Sequence, residues 1–254
     1  EVLADPDVQV VVLCTRHDTH ASMALQALRA GKHLLVEKPL CLRQQELVGI
    51  SEYCQNDKGG PLWTVGFNRA FAPTALALKR LLQRRRGPAL LNYRVQAGPL
   101  AANHWIYSDQ GGGRNVGEAC HFYHLLLWLL EAECRVVAAV SGGAGPPTDH
   151  FTVSLAFTDG SLATLSYTAA GDTRLGKEWL DVCFDDQSLQ LYDFRELRQA
   201  GQLTFVSASQ DKGHRSMLEA FGVGLLSGTQ VLPLQPQLRA SAVALEVETR
   251  LRGQ

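Results

Sequence analysis

The chain has 254 residues, 46% of them hydrophobic and 19% charged, with a net charge of −1. That is length for one large or two ordinary domains with a real core, and the composition of a globular protein rather than a disordered or fibrous one. Near-zero charge implies no nucleic-acid partner, and with no 18-residue apolar run there is no membrane span, so a cytoplasmic setting is expected.

Val8-Gln9-Val10-Val11-Val12-Leu13-Cys14 is nearly continuous in apolar residues, as a strand covered on both faces should be. Asp18 or Thr19 is expected to cap a helix over residues 21–30, with Ala24, Ala27 and Leu28 on one face and Gly31 as its stop. Residues 34–36 form a second strand ending in Glu37-Lys38-Pro39, whose last bond is a candidate for cis. A helix over 44–55 and a strand over 63–67 follow. Strands alternating with helices give a parallel sheet with right-handed crossovers. A linking helix then ends in Lys79-Arg80 and Arg84-Arg85-Arg86, cations that suit its carboxyl end.

From about Pro88 the pattern changes. Residues 91–96 and 151–157 alternate apolar and polar, and Asp159-Gly160 joins the second run to another that reaches Tyr167. Residues 180–184 and 188–192 pair across Asp185-Asp186-Gln187. A helix over 117–130 is apolar enough to be buried, and two helices, 215–226 and 236–252, close the chain. The expected fold is α/β plus α+β: a partial Rossmann parallel sheet over residues 1–75, then an open-faced, mostly antiparallel sheet domain over 76–254. Six scattered cysteines without a Cys-x-x-Cys pair read as reduced thiols.

Two places carry chemistry. Lys38 stands at the carboxyl edge of a parallel sheet, where open α/β folds bind ligands, and its amine can donate to a developing oxyanion. Gly111-Gly112-Gly113 then leads into Glu118, Cys120, His121 and His124. Glu118 and His121, and partly His124, share a helix face, a reasonable arrangement for moving a proton. The same groups are of metal-ligand type, but spacings of three and six drift around the helix, so no metal is expected and a metal-dependent lyase or hydrolase is the outlying reading. No Gly-x-Gly-x-x-Gly is present and the chain opens on Glu1-Val2-Leu3. The phosphate-cradling first strand–loop–helix is therefore expected upstream. The chain is read as an N-terminally truncated fragment that binds a dinucleotide poorly by itself.

The apolar strand ending in Thr15, the His20 helix closing on Ala30-Gly31-Lys32-His33, Glu37-Lys38-Pro39 and Val65-Gly66-Phe67-Asn68-Arg69 appear in an order that resembles the Gfo/Idh/MocA oxidoreductases. Gly117-Glu118-Ala119-Cys120-His121-Phe122 and Asp211-Lys212-Gly213-His214 look closest to a bacterial subgroup fused to zinc-type alcohol dehydrogenases. The resemblance implies an enzyme that moves a hydride between NAD or NADP and a hydroxyl or carbonyl of a sugar, cyclitol or nucleotide-sugar. It implies catalysis by Lys38 and His121, aided by Glu118, because Gly117 and His124 stand where family members carry Asp. Thr15, His20, Glu37, Lys38 and Asn68 then bind cofactor, with helix-start packing as the other reading of His20. Arg69, His104, Trp105 and His124 bind substrate; Arg69 is alternatively a structural partner of Glu37, and His104 and Trp105 alternatively make ordinary loop contacts. Expected partners are a sugar-like substrate, a second copy across the open sheet and a zinc-type dehydrogenase module. The rival from another class is a non-catalytic scaffold or dimerisation module of a larger fused oxidoreductase.

Overall fold

Three short apolar runs build the first sheet. In a computed structural model, which describes residues 1–56, 59–143, 146 and 148–253, they are β1 (Val10–Leu13), β2 (His33–Val36) and β3 (Trp63–Val65). They pair in parallel in the order β1-β2-β3. Leu34, Leu35 and Val36 are buried, as the central strand of a parallel sheet requires. The ladder runs on past β2: Glu37 N donates to Leu13 O at 2.9 Å and Gly66 N to Val36 O at 2.8 Å. The backbone is thus fixed on both sides up to the residue before Lys38. The Lys38–Pro39 bond is cis.

Helix α1 (His17–Arg29) crosses from β1 to β2, with Ala24, Ala27 and Leu28 buried. It starts before the expected Asp18 or Thr19 cap. Arg16 takes the N-cap place and makes no side-chain cap bond, while the Thr19 hydroxyl donates back to Arg16 O. Its end matches expectation. Gly31 N donates to Leu28 O and Lys32 N to Ala27 O, both at 3.0 Å, with Gly31 at φ +72°. Those two bonds form a Schellman stop, which needs a left-handed residue at that position. Helix α2 (Gln44–Asn56) follows, and Gln237 of the last helix covers the outer edge of β3, its Oε1 accepting from Val65 N at 2.7 Å.

The remaining strands form one sheet: β4 (Leu90–Gln96), β5 (Cys134–Ser141), β6 (His150–Phe157), β7 (Leu162–Thr168), β8 (Glu178–Phe184), β9 (Gln187–Tyr192), β10 (Glu196–Gln199) and β11 (Gln202–Val206). Its order among the described residues is β11-β10-β9-β8-β4-β7-β6-β5, antiparallel throughout except where β4 lies parallel to β7. Leu91, Tyr93 and Val95 of β4 face the core, while Asn92 and Arg94 are exposed, so one face is wet. Asp185 and Asp186, both at positive φ, make the two-residue turn between β8 and β9. Strands β5, β10 and β11 are additions to the expected set.

Helices α3 (Pro73–Leu82), α4 (Cys120–Leu130), α5 (His214–Ser227) and α6 (Leu234–Arg252) complete the chain. No helix among the described residues is long and apolar enough to cross a membrane. The chain forms two compact units. One holds residues 1–67, 103–124 and 215–245; the other holds 68–102, 125–214 and 246–254. The Gly111–His124 segment thereby belongs with the parallel sheet.

Candidate functional site

The site in the first unit grows from the carboxyl ends of β1 and β2. Thr15, just past β1, is exposed, its hydroxyl shared with Thr19 at 2.6 Å. Glu37 and Lys38, just past β2, are half-buried. Lys38 Nζ donates to Gly117 O at 2.9 Å, so the amine points at the turn that leads to His121 rather than into open solvent. Glu37 lies against the Gly66 backbone, where an added Cβ would come 2.9 Å from its Oε1. Its Oε2 also accepts from Lys38 N at 3.3 Å.

His20 is 1% exposed, with Nδ1 at 2.8 Å from Pro39 O and Nε2 at 3.2 Å from Thr15 O. Both nitrogens face backbone carbonyls, so the ring braces the Glu37-Lys38-Pro39 loop. These contacts are those of the packing reading of His20. His17 lies between Thr15 and His20 in the same segment. It lies 7% exposed at the start of α1, Nδ1 at 2.9 Å from Gly111 O. Burial pushes its imidazole down to about 4; the Gly111 bond opposes this and the nearby Lys38 charge adds to it. Trp105 packs edge-on against the ring at 4.6 Å between centroids, and the Arg16 guanidinium lies 4.4 Å from the indole. His104 is half-buried and caps its own turn, Nδ1 accepting from Ile106 N at 3.2 Å.

The second constellation begins in a π-helical turn, Asn115–Ala119, that runs straight into α4. Such turns shift side chains off the regular helical register and recur at functional sites. Asn115 anchors this one: its amide donates to Ala244 O at 2.8 Å and its oxygen accepts from Tyr123 OH at 2.8 Å. Glu118 is half-buried, and His121, 7% exposed, meets Phe67 edge-on at 6.0 Å. His124 corrects an expectation. It is 1% exposed, stacked on Phe67 at 4.3 Å, with neither ring nitrogen hydrogen-bonded. Burial holds its imidazole at about 3. These are the surroundings of a core side chain. No group of three or more His, Cys, Asp or Glu among the described residues is placed to hold a metal.

Asn68 and Arg69 lie in the second unit. The Asn68 amide donates to Lys212 O at 2.8 Å. Arg69 is corrected as well. Its Nε and terminal amine grip Glu178 at 2.8 and 2.7 Å, and Lys212 Nζ and Tyr93 OH reach the same carboxylate at 2.7 and 2.5 Å. Glu178 is fully buried; burial alone would push its carboxyl up, but Arg69 and then Lys212 hold it well below the usual range. The partner of Arg69 is therefore Glu178, and the sequence offered no local sign of a residue 109 positions away.

Residues 1–63 match the oxidoreductase family GFO_IDH_MocA, described as an NAD-binding Rossmann fold. The match covers about a quarter of the chain. The scyllo-inositol 2-dehydrogenase (NAD(+)) of Bacillus subtilis (strain 168) is 28% identical over 179 residues, 70% of this chain and 51% of that protein. The chain thus spans about half the length of this curated relative. In fold it is similar to an aldose-aldose oxidoreductase of Caulobacter crescentus solved with glycerol, TM-score 0.84 at 15% identity over 99% of this chain and 79% of that one. It is similar also to a levoglucosan dehydrogenase solved with NADH and levoglucosan, TM-score 0.83 at 19% identity over 99% and 80%.

Proposed function

We propose that the protein carrying this chain is an NAD- or NADP-dependent oxidoreductase acting on a hydroxyl or carbonyl of a cyclitol or sugar. The observation that carries the reading is the Lys38 amine, held at the carboxyl edge of a parallel sheet and aimed at the turn before His121. A relative that acts on scyllo-inositol and a structural neighbour that holds levoglucosan support that substrate class over a nucleotide-sugar.

The residues present fit one end of the cofactor. The exposed Thr15 hydroxyl and the Lys38 amine offer polar groups at the edge where a ribose and nicotinamide would lie. The glycine-rich turn that cradles a pyrophosphate is not within these 254 residues. Bound there, a nicotinamide supplies the hydride acceptor or donor. Lys38 orients the reacting oxygen: its ammonium has three donors, one of which goes to Gly117 O. The remaining donors stabilise charge as it develops on that oxygen. His121, with Glu118 three residues earlier, exchanges the hydroxyl proton. His20 keeps the lysine loop in place through Pro39 O.

Turnover by the full-length protein with NAD(+) or NADP(+) and myo-inositol, scyllo-inositol or glucose tests this, with Lys38→Ala as the control. Undiminished turnover by Lys38→Ala would remove Lys38 from the mechanism. Failure to bind NAD(H) or NADP(H) at all would favour the scaffold reading. The exposed face of the eight-stranded sheet, with Asn92, Arg94 and Gln190, is the proposed contact with a second copy, checked by mass in solution. Association with a zinc-type dehydrogenase rests on the sequence resemblance alone.

A further inference from the structure

His17 is a histidine in the candidate site that the proposed mechanism does not use. Its Nδ1 faces the Gly111 carbonyl at 2.9 Å, and a carbonyl only accepts, so Nδ1 carries the hydrogen. With burial holding the ring near 4, it is neutral across the physiological range. The tautomer is then fixed and Nε2 is a bare acceptor. That nitrogen has no hydrogen-bond partner among the described residues.

The opposite surplus lies beside it. Lys38 has donors left after its bond to Gly117 O, and no other acceptor among the described residues takes them. Both side chains converge on Gly117. A Cβ there would come 3.2 Å from His17 Cε1 and 2.6 Å from Ile106 Cδ1, so only glycine leaves the imidazole its place. Trp105 closes on the ring edge-on and restricts its rotation. A buried acceptor held rigid beside a donor-rich amine complements a group that both donates and accepts, as an alcohol does.

We propose that His17 is a specificity-determining residue whose Nε2 accepts a hydrogen bond from a hydroxyl adjacent to the one Lys38 orients, so that the site selects vicinal diols. This rests on the oxidoreductase reading above. A ring neutral down to about pH 4 is a poor base for a hydroxyl proton, so it recognises rather than deprotonates. A site that holds a substrate hydroxyl discriminates strongly against analogues that lack it, because its own polar group is then left unpaired.

Two substitutions separate this role from a structural one. His17→Asn keeps a donor for Gly111 O but has nothing at the Nε2 position. His17→Gln carries an amide oxygen out to that position and gives up the Gly111 contact. With the full-length protein, His17→Asn should raise KM for myo-inositol roughly ten- to a hundredfold with kcat little changed, while His17→Gln stays within about fivefold of the parent. A purely structural role reverses the order, and wild-type KM in His17→Asn overturns the proposal. A readout independent of turnover is the imidazole 15N spectrum. The His17 Nε2 resonance should be that of an unprotonated nitrogen at pH 7 and should move when myo-inositol is added; an Nε2–H signal, or no shift with any of myo-inositol, scyllo-inositol and glucose, overturns it. Lys38→Ala run in parallel keeps the failures apart. If Lys38→Ala is fully active the oxidoreductase mechanism fails; if it is inactive and His17→Asn is unchanged, only the role of His17 fails.

Discussion

Lys38 Nζ donates to the carbonyl of Gly117 at 2.9 Å, joining the end of β2 to the turn before His121 across 79 residues of sequence. The bond brings together the two segments whose residue types suggest chemistry. Because Lys38 is half-buried, removing its side chain should cost only about 1 kcal/mol of stability. Its loss from the reacting site should cost far more: Lys38→Ala is expected to lower kcat roughly 10²- to 10⁴-fold. Steady-state kinetics beside a thermal melt checks this. A melt that collapses along with activity would make Lys38 a structural residue.

Glu178 is the counter-charge for two cations in the second unit, Arg69 and Lys212. Glu178→Gln leaves both facing a neutral amide in a buried place, and should destabilise by about 3–5 kcal/mol. Tyr93→Phe removes one hydroxyl from the same carboxylate and should cost about 1 kcal/mol. The folded carboxyl lies below its ordinary value of 4.5, so its contribution is present above that pH and is lost as pH falls below it. Urea unfolding at pH 7 ranks the two variants, and equal losses would refute a charge-centred account.

Gly31 stands at φ +72° with nothing within 4 Å of where a Cβ would go. Gly31→Ala therefore tests backbone strain alone, without steric conflict. The expected cost is about 1 kcal/mol, with unchanged substrate kinetics. A shift in urea midpoint without a change of slope is the signature; no shift would mean that the Schellman stop does not depend on glycine.

Some elements were legible as continuous apolar runs, such as residues 34–36, and others because their burial leaves a period. Leu91, Tyr93 and Val95 alternate cleanly with Asn92 and Arg94. Strand β5 escaped because its register shifts between Val136 and Ala138, which breaks the alternation. Strand β11 has no buried residue, and its short Leu203/Phe205 alternation faces no core. Lys38 was legible because a strand ending in a charged pair marks a sheet edge. Arg69 was not, because its fate depends on Glu178, and His17 was not, because a carbonyl 94 residues away sets its tautomer. His124 looked functional by type and spacing, yet one turn of helix carried it under Phe67.

That buried imidazole makes acid stability the sharpest test of the core. His124 titrates near 3 in the folded chain against an ordinary 6.5, through burial alone. Between those values the unfolded chain binds the proton and the folded chain does not, so stability rises with pH and is lost as pH falls from about 6.5 toward 3. His124→Phe keeps a ring to stack on Phe67 and removes two buried nitrogens that lack hydrogen bonds. It should be near neutral or stabilising by about 1 kcal/mol at pH 7 and should gain roughly 1–2 kcal/mol more over the parent by pH 5. Urea midpoints of parent and variant at both pH values decide it. Parallel pH dependences would mean that His124 finds a proton or a partner in solution, and that this part of the core is not dry.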